Sequence, residues 1–180
     1  MRTSFLLLGL LLVLGCSEPE PRKPISRKTS TFLKESIERN KTINAAEENE
    51  LKRLIALDTL NTYLSSESGF WYYYQVQDSV SSQYPQKGDL LVYEYQIDDI
   101  YGENLYTKEA LGERQYTVDK EELITGLQDG LKLMKVGETV TFLFPSYKAY
   151  GYTGYQKIGS NQPLRYTVTL KELTKQNTEE

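Results

Sequence analysis

The chain has 180 residues, 39% of them hydrophobic, a formal net charge of -4 and no histidine. That length holds one ordinary domain and an appendage. The acidic balance excludes a phosphate-tracking nucleic-acid surface, and the missing imidazole excludes Ser-His-Asp and Cys-His chemistry and histidine-bound zinc. Cys16 is the only cysteine, so no intramolecular disulfide forms and stability comes from packing.

Arg2 followed by the apolar run 5–14 and then Gly15-Cys16 reads as a secretory signal. A run of about ten residues is too short to span a hydrocarbon core that needs about 20 helical residues. Val13-Leu14-Gly15-Cys16 resembles the bacterial lipobox. That resemblance implies cleavage after residue 15 and a diacylglycerol on Cys16, so the membrane is a partner and the protein belongs to the cell envelope. The periplasmic side is favoured. Ser17-Glu18 with Glu20 partly resembles a surface-export signal, which keeps the cell surface as the alternative.

Residues 16–41, with Pro19, Pro21 and Pro24 among charges and hydroxyls, read as a solvated tether. A helical pattern follows over 42–65, in a segment bounded at 69. Ile43, Ala46, Leu54, Leu57, Leu60 and Leu64 fall on one arc, interrupted by Glu50 and Arg53. That stripe wants a partner: the chain's own C-terminal domain, a second copy through residues 43–64, or a client.

Strands are expected at 70–76, 89–97, 115–118, 139–144 and 164–173, with both faces of the first aromatic. One helix is expected between the third and fourth. Asp119 is its N-cap with Glu122 three residues on, and Leu123, Ile124, Leu127, Leu131 and Met134 follow at helical spacing. The order β-β-β-α-β-β is that of an α+β domain over 70–174, with a short disordered tail at 175–180. Gly126 and Gly130, four apart, give that helix a bare face for close approach to the sheet.

Leu123-Ile124-Thr125-Gly126-Leu127 and Gly130…Met134-Lys135-Val136-Gly137-Glu138 resemble the V-I-x-G-W/L…G…M-x-x-G-E/Q signature of FK506-binding proteins (FKBPs), which are peptidyl-prolyl cis-trans isomerases. Pro145-Ser146 with Ala149-Tyr150-Gly151 is similar to that family's P-x-x-x-A-Y-G loop, and segments 89–95 and 161–170 look like its central and closing strands. The resemblance covers about residues 70–173. It implies an antiparallel twisted sheet wrapped on one short helix, isomerase or rotamase activity, and no cofactor or metal. The partners it implies are proline-containing exported or envelope polypeptides.

Carried over, the pocket positions are Tyr95, Leu123, Ile124, Leu127, Tyr150, Ile158 and Tyr166. The Tyr150 hydroxyl and the Ile124 amide would bond substrate carbonyls. Where the family has Phe-Asp after a glycine turn, the chain has Leu105-Tyr106, and the next aromatic position is Arg114 or Tyr116. Loss of the carboxylate implies weaker macrolide binding and slower isomerisation. An FKBP-like chaperone or assembly scaffold is therefore the alternative to a catalyst. The whole chain is also similar to the gliding-motility-associated FKBP-type lipoproteins of the Bacteroidota, which implies envelope clients in motility or secretion.

Overall fold

The structure is a computed structural model that describes residues 27–79 and 82–176. Cys16, the signal and the end of the tail lie outside the described residues. Helix α1 (Arg27–Leu57) crosses the boundary between two compact units, residues 1–37 and 38–180. Residues 27–41, expected as tether, are therefore helical, and the helix stops eight residues short of the expected 65. Among the described residues no helix is long and apolar enough to cross a membrane.

The buried face of α1 within the second unit is also not the expected stripe. Leu51 is fully buried, Leu54 and Ile55 are half-buried, and Glu47 is buried on the same side, whereas Leu57 and Leu60 are exposed and Leu64 has left the helix. Positions 47, 51, 54 and 55 share one helical face. Opposite-sign pairs hold the outer face: Glu38 with Lys41, Glu48 with Lys52, and a bidentate Glu50 with Arg53. Asp58 ends the helix. Its carboxylate accepts from the Leu60 N–H, the Asn61 amide and the Tyr63 hydroxyl, and so bends the chain out of helical geometry.

Among the described residues, seven strands form one antiparallel sheet, ordered β1-β2-β6-β7-β3-β4 with β5 also on β3. They are β1 (Leu64–Ser65), β2 (Trp71–Val76), β3 (Leu90–Asp99), β4 (Asn104–Tyr106), β5 (Arg114–Thr117), β6 (Thr139–Phe144) and β7 (Leu164–Thr174). β7 alternates cleanly, with Leu164, Tyr166, Val168 and Leu170 buried and the residues between them half-exposed, as one core-facing side requires. β2 shows why both its faces are aromatic. Tyr72 and Tyr74 pack on the main core, while Trp71 packs with Leu51, Ile100 and Leu143 beneath α1.

Two short helices complete the fold: α2 (Lys108–Leu111) and α3 (Thr125–Leu131). Helix α3 is shorter than expected, and Asp119 is not its N-cap. Asp119 adopts φ 55, its N–H donates to the Tyr116 hydroxyl and its carboxylate pairs with Lys132 at 2.8 Å. Ile124 takes the N-cap position without a side-chain bond. The two glycines act as expected. A Cβ on Gly126 would lie 2.6 Å from the Phe144 ring, and one on Gly130 would lie 3.0 Å from Phe142. Glycine thus allows α3 to press on the two stacked rings of β6, whose centroids are 5.5 Å apart. The molecule is α+β, with α3 covering one face of an antiparallel sheet.

Candidate active-site cleft

A cleft of about 580 Å³ opens where four segments converge: Tyr95 and Ile97 of β3, Tyr106 of β4, Ala110 to Arg114 around α2 and the start of β5, and a loop carrying Tyr150 and Tyr155 to Lys157. Each segment is fixed locally. β3 pairs with β7 over ten positions from Leu90 to Asp99, which sets Tyr95 opposite Val168 and Ile97 opposite Tyr166. Thr107 caps α2 by accepting from the Ala110 N–H, and Gly112 at φ 66 turns the chain into β5.

The loop after β6 begins with a 3-10 turn (Ser146–Lys148) and is closed on itself by a Tyr155–Ile158 bridge. Gly154, at φ 62, is required there, because a Cβ would meet the Ile158 carbonyl oxygen at 2.5 Å. Ile158 is 3% exposed and fixes the loop tip in the core. The loop's base is held from α1. Glu47 accepts from the Ser146 N–H at 2.8 Å and from the Ser146 hydroxyl at 2.7 Å, and both residues are buried. Ser146's own carbonyl accepts from the Ala149 and Gly151 N–H groups, the two residues flanking Tyr150.

Tyr150 is therefore placed by a chain of bonds that starts on the N-terminal helix. Its ring stacks on Tyr155 at 5.3 Å, and its hydroxyl accepts from Tyr166 at 3.4 Å. The Tyr166 proton is spent in that bond. The Tyr150 proton has no acceptor among the described residues and is available to a ligand. Beneath them, Tyr95 lies parallel to Tyr166 with centroids 5.6 Å apart. Burial pushes the hydroxyls of Tyr166, Tyr93 and Tyr95 above the ordinary phenol range. Tyr150 adds to the Tyr95 shift, while the Arg114 guanidinium opposes it. These groups stay protonated at neutral pH and act as neutral hydrogen-bond groups.

The expected site residues separate into three sets. Tyr95, Tyr106 and Tyr150 line the cleft. Leu123 and Ile124 line a neighbouring depression of about 550 Å³ that also includes Tyr150. Leu127, Ile158 and Tyr166 are buried in the core at 3%, 3% and 1% exposure. Leu105 is half-buried, and its carbonyl accepts from the Lys157 ammonium at 3.3 Å. Ile124 stands at the entrance to α3, where an amide has no intrahelical acceptor.

Tyr106, in the place of the expected carboxylate, cross-links the loop. Its hydroxyl donates to the Gln156 side-chain oxygen and accepts from the Lys157 N–H, both at 3.1 Å. The strand register resolves the pair Arg114 or Tyr116. Arg114 pairs with Tyr93 and lines the cleft, whereas Tyr116 pairs with Leu91 and is fully buried. Gln156 and Lys157 were not anticipated. They sit on an irregular loop with no periodicity to mark them, and only the neighbouring Ile158 signalled that the loop returns to the cleft.

A family model described as FKBP-type peptidyl-prolyl cis-trans isomerase matches residues 81–171, half of the chain. Among curated proteins no sequence matches. Two solved structures are similar in fold. FkpA from Escherichia coli is 20% identical with a TM-score of 0.60 over 97% of this chain and 83% of that one. A peptidyl-prolyl cis-trans isomerase from Pseudomonas syringae pv. tomato is 17% identical with a TM-score of 0.58 over 75% of this chain and 96% of that one. With five segments of the signature in order, a sheet pressed on a glycine-faced helix and the family match over its core, the chain belongs to the FKBP-type peptidyl-prolyl cis-trans isomerase family.

Proposed function

We propose that the chain catalyses cis–trans isomerisation of peptide bonds preceding proline in exported or envelope polypeptides, as a folding factor. The observation that carries this reading is the free Tyr150 proton at the rim of an aromatic cleft, held there by the Tyr166 hydroxyl behind it. The reaction asks for little else. Rotation must overcome a barrier of about 18–20 kcal/mol set by amide resonance. The twisted amide carries less charge on oxygen and a more basic nitrogen, so walls of tyrosine and aliphatic side chains favour it over the planar form. That is differential binding of the transition state. No proton leaves a heavy atom, which suits a chain without histidine.

NMR exchange spectroscopy on an Xaa-Pro peptide tests the reading. Acceleration by the soluble chain, reduced in Tyr150→Phe and Leu127→Ala, supports catalysis; no acceleration by the parent removes it. The competing reading, a chaperone or assembly scaffold with little isomerase activity, is favoured by Tyr106, whose cross-link to Gln156 and Lys157 occupies the place of the family's carboxylate. Suppression of client aggregation without isomerase acceleration would select it.

The lipobox-like sequence at Cys16 supports a lipid anchor in the cell envelope, facing the periplasm, with clients in gliding motility or secretion as the finer reading. Intact-mass measurement of membrane-extracted protein, with Cys16→Ala as the unlipidated control, tests the anchor. A homodimer through residues 43–64 would use the exposed Leu57, Leu60 and Leu64, since Leu51 and Glu47 are already engaged within the chain. Sedimentation across a concentration series decides it.

A further inference from the structure

The cleft carries a charge opposite to that of the chain around it. In a chain of net charge -4, its lining contains two cations, Arg114 and Lys157, and no carboxylate. Elsewhere in the same domain Lys108, Lys132, Lys148, Lys171 and Lys175 each reach an Asp or Glu. Arg114 and Lys157 form no such ion pair among the described residues.

Both cations are held in position with their donors largely unspent. The Lys157 ammonium lies 5.3 Å over the Tyr106 ring and gives one bond to the Leu105 carbonyl. An ammonium has three protons, so two remain for a ligand. Arg114 is placed by register at the first residue of β5, opposite Tyr93; its charge is felt at the hydroxyls of Tyr93 and Tyr95, and a hydrogen bond to the Tyr95 hydroxyl takes one of its five N–H donors. The polar groups beside them include the Tyr150 hydroxyl, whose proton is also free. The walls therefore offer donors and positive charge to whatever enters, and they offer no compensating negative charge.

We infer that the cleft selects proline segments in which Asp or Glu flanks the proline, with Arg114 and Lys157 as the specificity-determining pair. This deepens the proposed isomerase reading and rests on the cleft being its peptide site. The energy is that of partly exposed charges a few ångströms from a carboxylate, worth about three- to tenfold in kcat/KM for Glu over Gln at low salt. The preference shrinks as salt rises, because the screening length falls from about 30 Å at 0.01 M to about 3 Å at 1 M. A flanking Lys is disfavoured by a comparable factor.

The test uses end-blocked Ala-Xaa-Pro-Ala and Ala-Pro-Xaa-Ala peptides with Xaa Glu, Gln or Lys. Exchange rates and binding shifts are read by NMR in the same samples, at low and at high salt. The full chain and the double variant Arg114→Gln, Lys157→Gln are compared by the Glu-to-Lys ratio within each protein, which does not depend on the folded fraction. A ratio of roughly ten or more that collapses at high salt and in the double variant supports the inference. A ratio near one in the parent, or one untouched by the double variant, overturns it. If no peptide is accelerated, isomerisation fails as the function. The binding order then decides the inference alone: Glu tighter than Lys supports charge selection by the cleft, and equal binding overturns it.

Discussion

Replacing Glu47 tests whether the N-terminal helix positions the cleft. Glu47 is 8% exposed, and its carboxylate takes both donors of Ser146, itself 2% exposed, at 2.8 and 2.7 Å. Hydrogen bonds to a charged acceptor are worth about 1.5–3 kcal/mol each, and the relief of a desolvated carboxylate returns part of that. Glu47→Ala leaves a buried N–H and hydroxyl unpaired and is expected to cost about 2–4 kcal/mol. Glu47→Gln retains one acceptor oxygen, and its amide N–H can donate to a Ser146 hydroxyl turned to accept, so about 1 kcal/mol is expected.

Urea unfolding provides the assay, with Trp71 as the reporter. It is the only tryptophan and packs beneath α1 with Leu51 and Leu143. Because the Ser146 carbonyl holds the amides on both sides of Tyr150, Glu47→Ala should also slow peptide exchange under conditions where it remains folded, and Glu47→Gln should restore most of the rate. Equal destabilisation by the two variants, or a cost to Glu47→Ala below about 1 kcal/mol, would refute the claim that this carboxylate holds loop to helix.

Three further outcomes follow from the packing and the charges. Gly126→Ala forces a Cβ to within 2.6 Å of Phe144 and should destabilise by about 1–3 kcal/mol. The same change in an open helix would stabilise by about 1 kcal/mol, so a raised melting temperature would show that α3 does not press on β6. Tyr150→Phe should lower kcat/KM about tenfold while costing about 1 kcal/mol of stability or less, as the buried Tyr166 hydroxyl loses its acceptor; an unchanged rate would remove Tyr150 as the donor. For Asp89, burial opposes ionisation, but the Lys175 ammonium and the Gln86 and Gln176 N–H groups outweigh it and hold its pKa below 3.8. Its contribution is therefore full above that value and lost as pH falls through the folded pKa. Urea midpoints should drop on acidification below about pH 4, and Asp89→Asn should flatten that drop.

The elements that the sequence made legible are those whose own period carries the information. β7 alternates in two-residue steps with one side buried, and β6 is a short run buried on both faces, so their apolar positions mark their limits. β4 and α2 escaped because three and four residues are too few to display a period. The face of α1 was misread for a different reason. Glu47 looks like a solvent-side residue until Ser146, 99 positions later, supplies the two donors that allow it to be buried. The site divides in the same way. Tyr95, Tyr106 and Tyr150 were nameable from the family resemblance of their segments, but Arg114 needed the β3–β5 register, and Gln156 and Lys157 needed the path of a loop held by Gly154 and Ile158.

The charge of the cleft and the neutral phenol of Tyr106 are linked. An ionised carboxylate in the place of Tyr106 could accept from the Lys157 N–H but could not donate to the Gln156 side-chain oxygen. A phenol does both, and its ring adds a face for the Lys157 ammonium at 5.3 Å. The loop thus keeps its attachment to β4 through a neutral group. Neutrality has a consequence at the mouth of the cleft, because Lys157 and Arg114 then face no fixed negative charge in the lining. A carboxylate supplied by the protein would have been a standing competitor for those donors. Without it, the negative charge that completes the site has to arrive with the peptide.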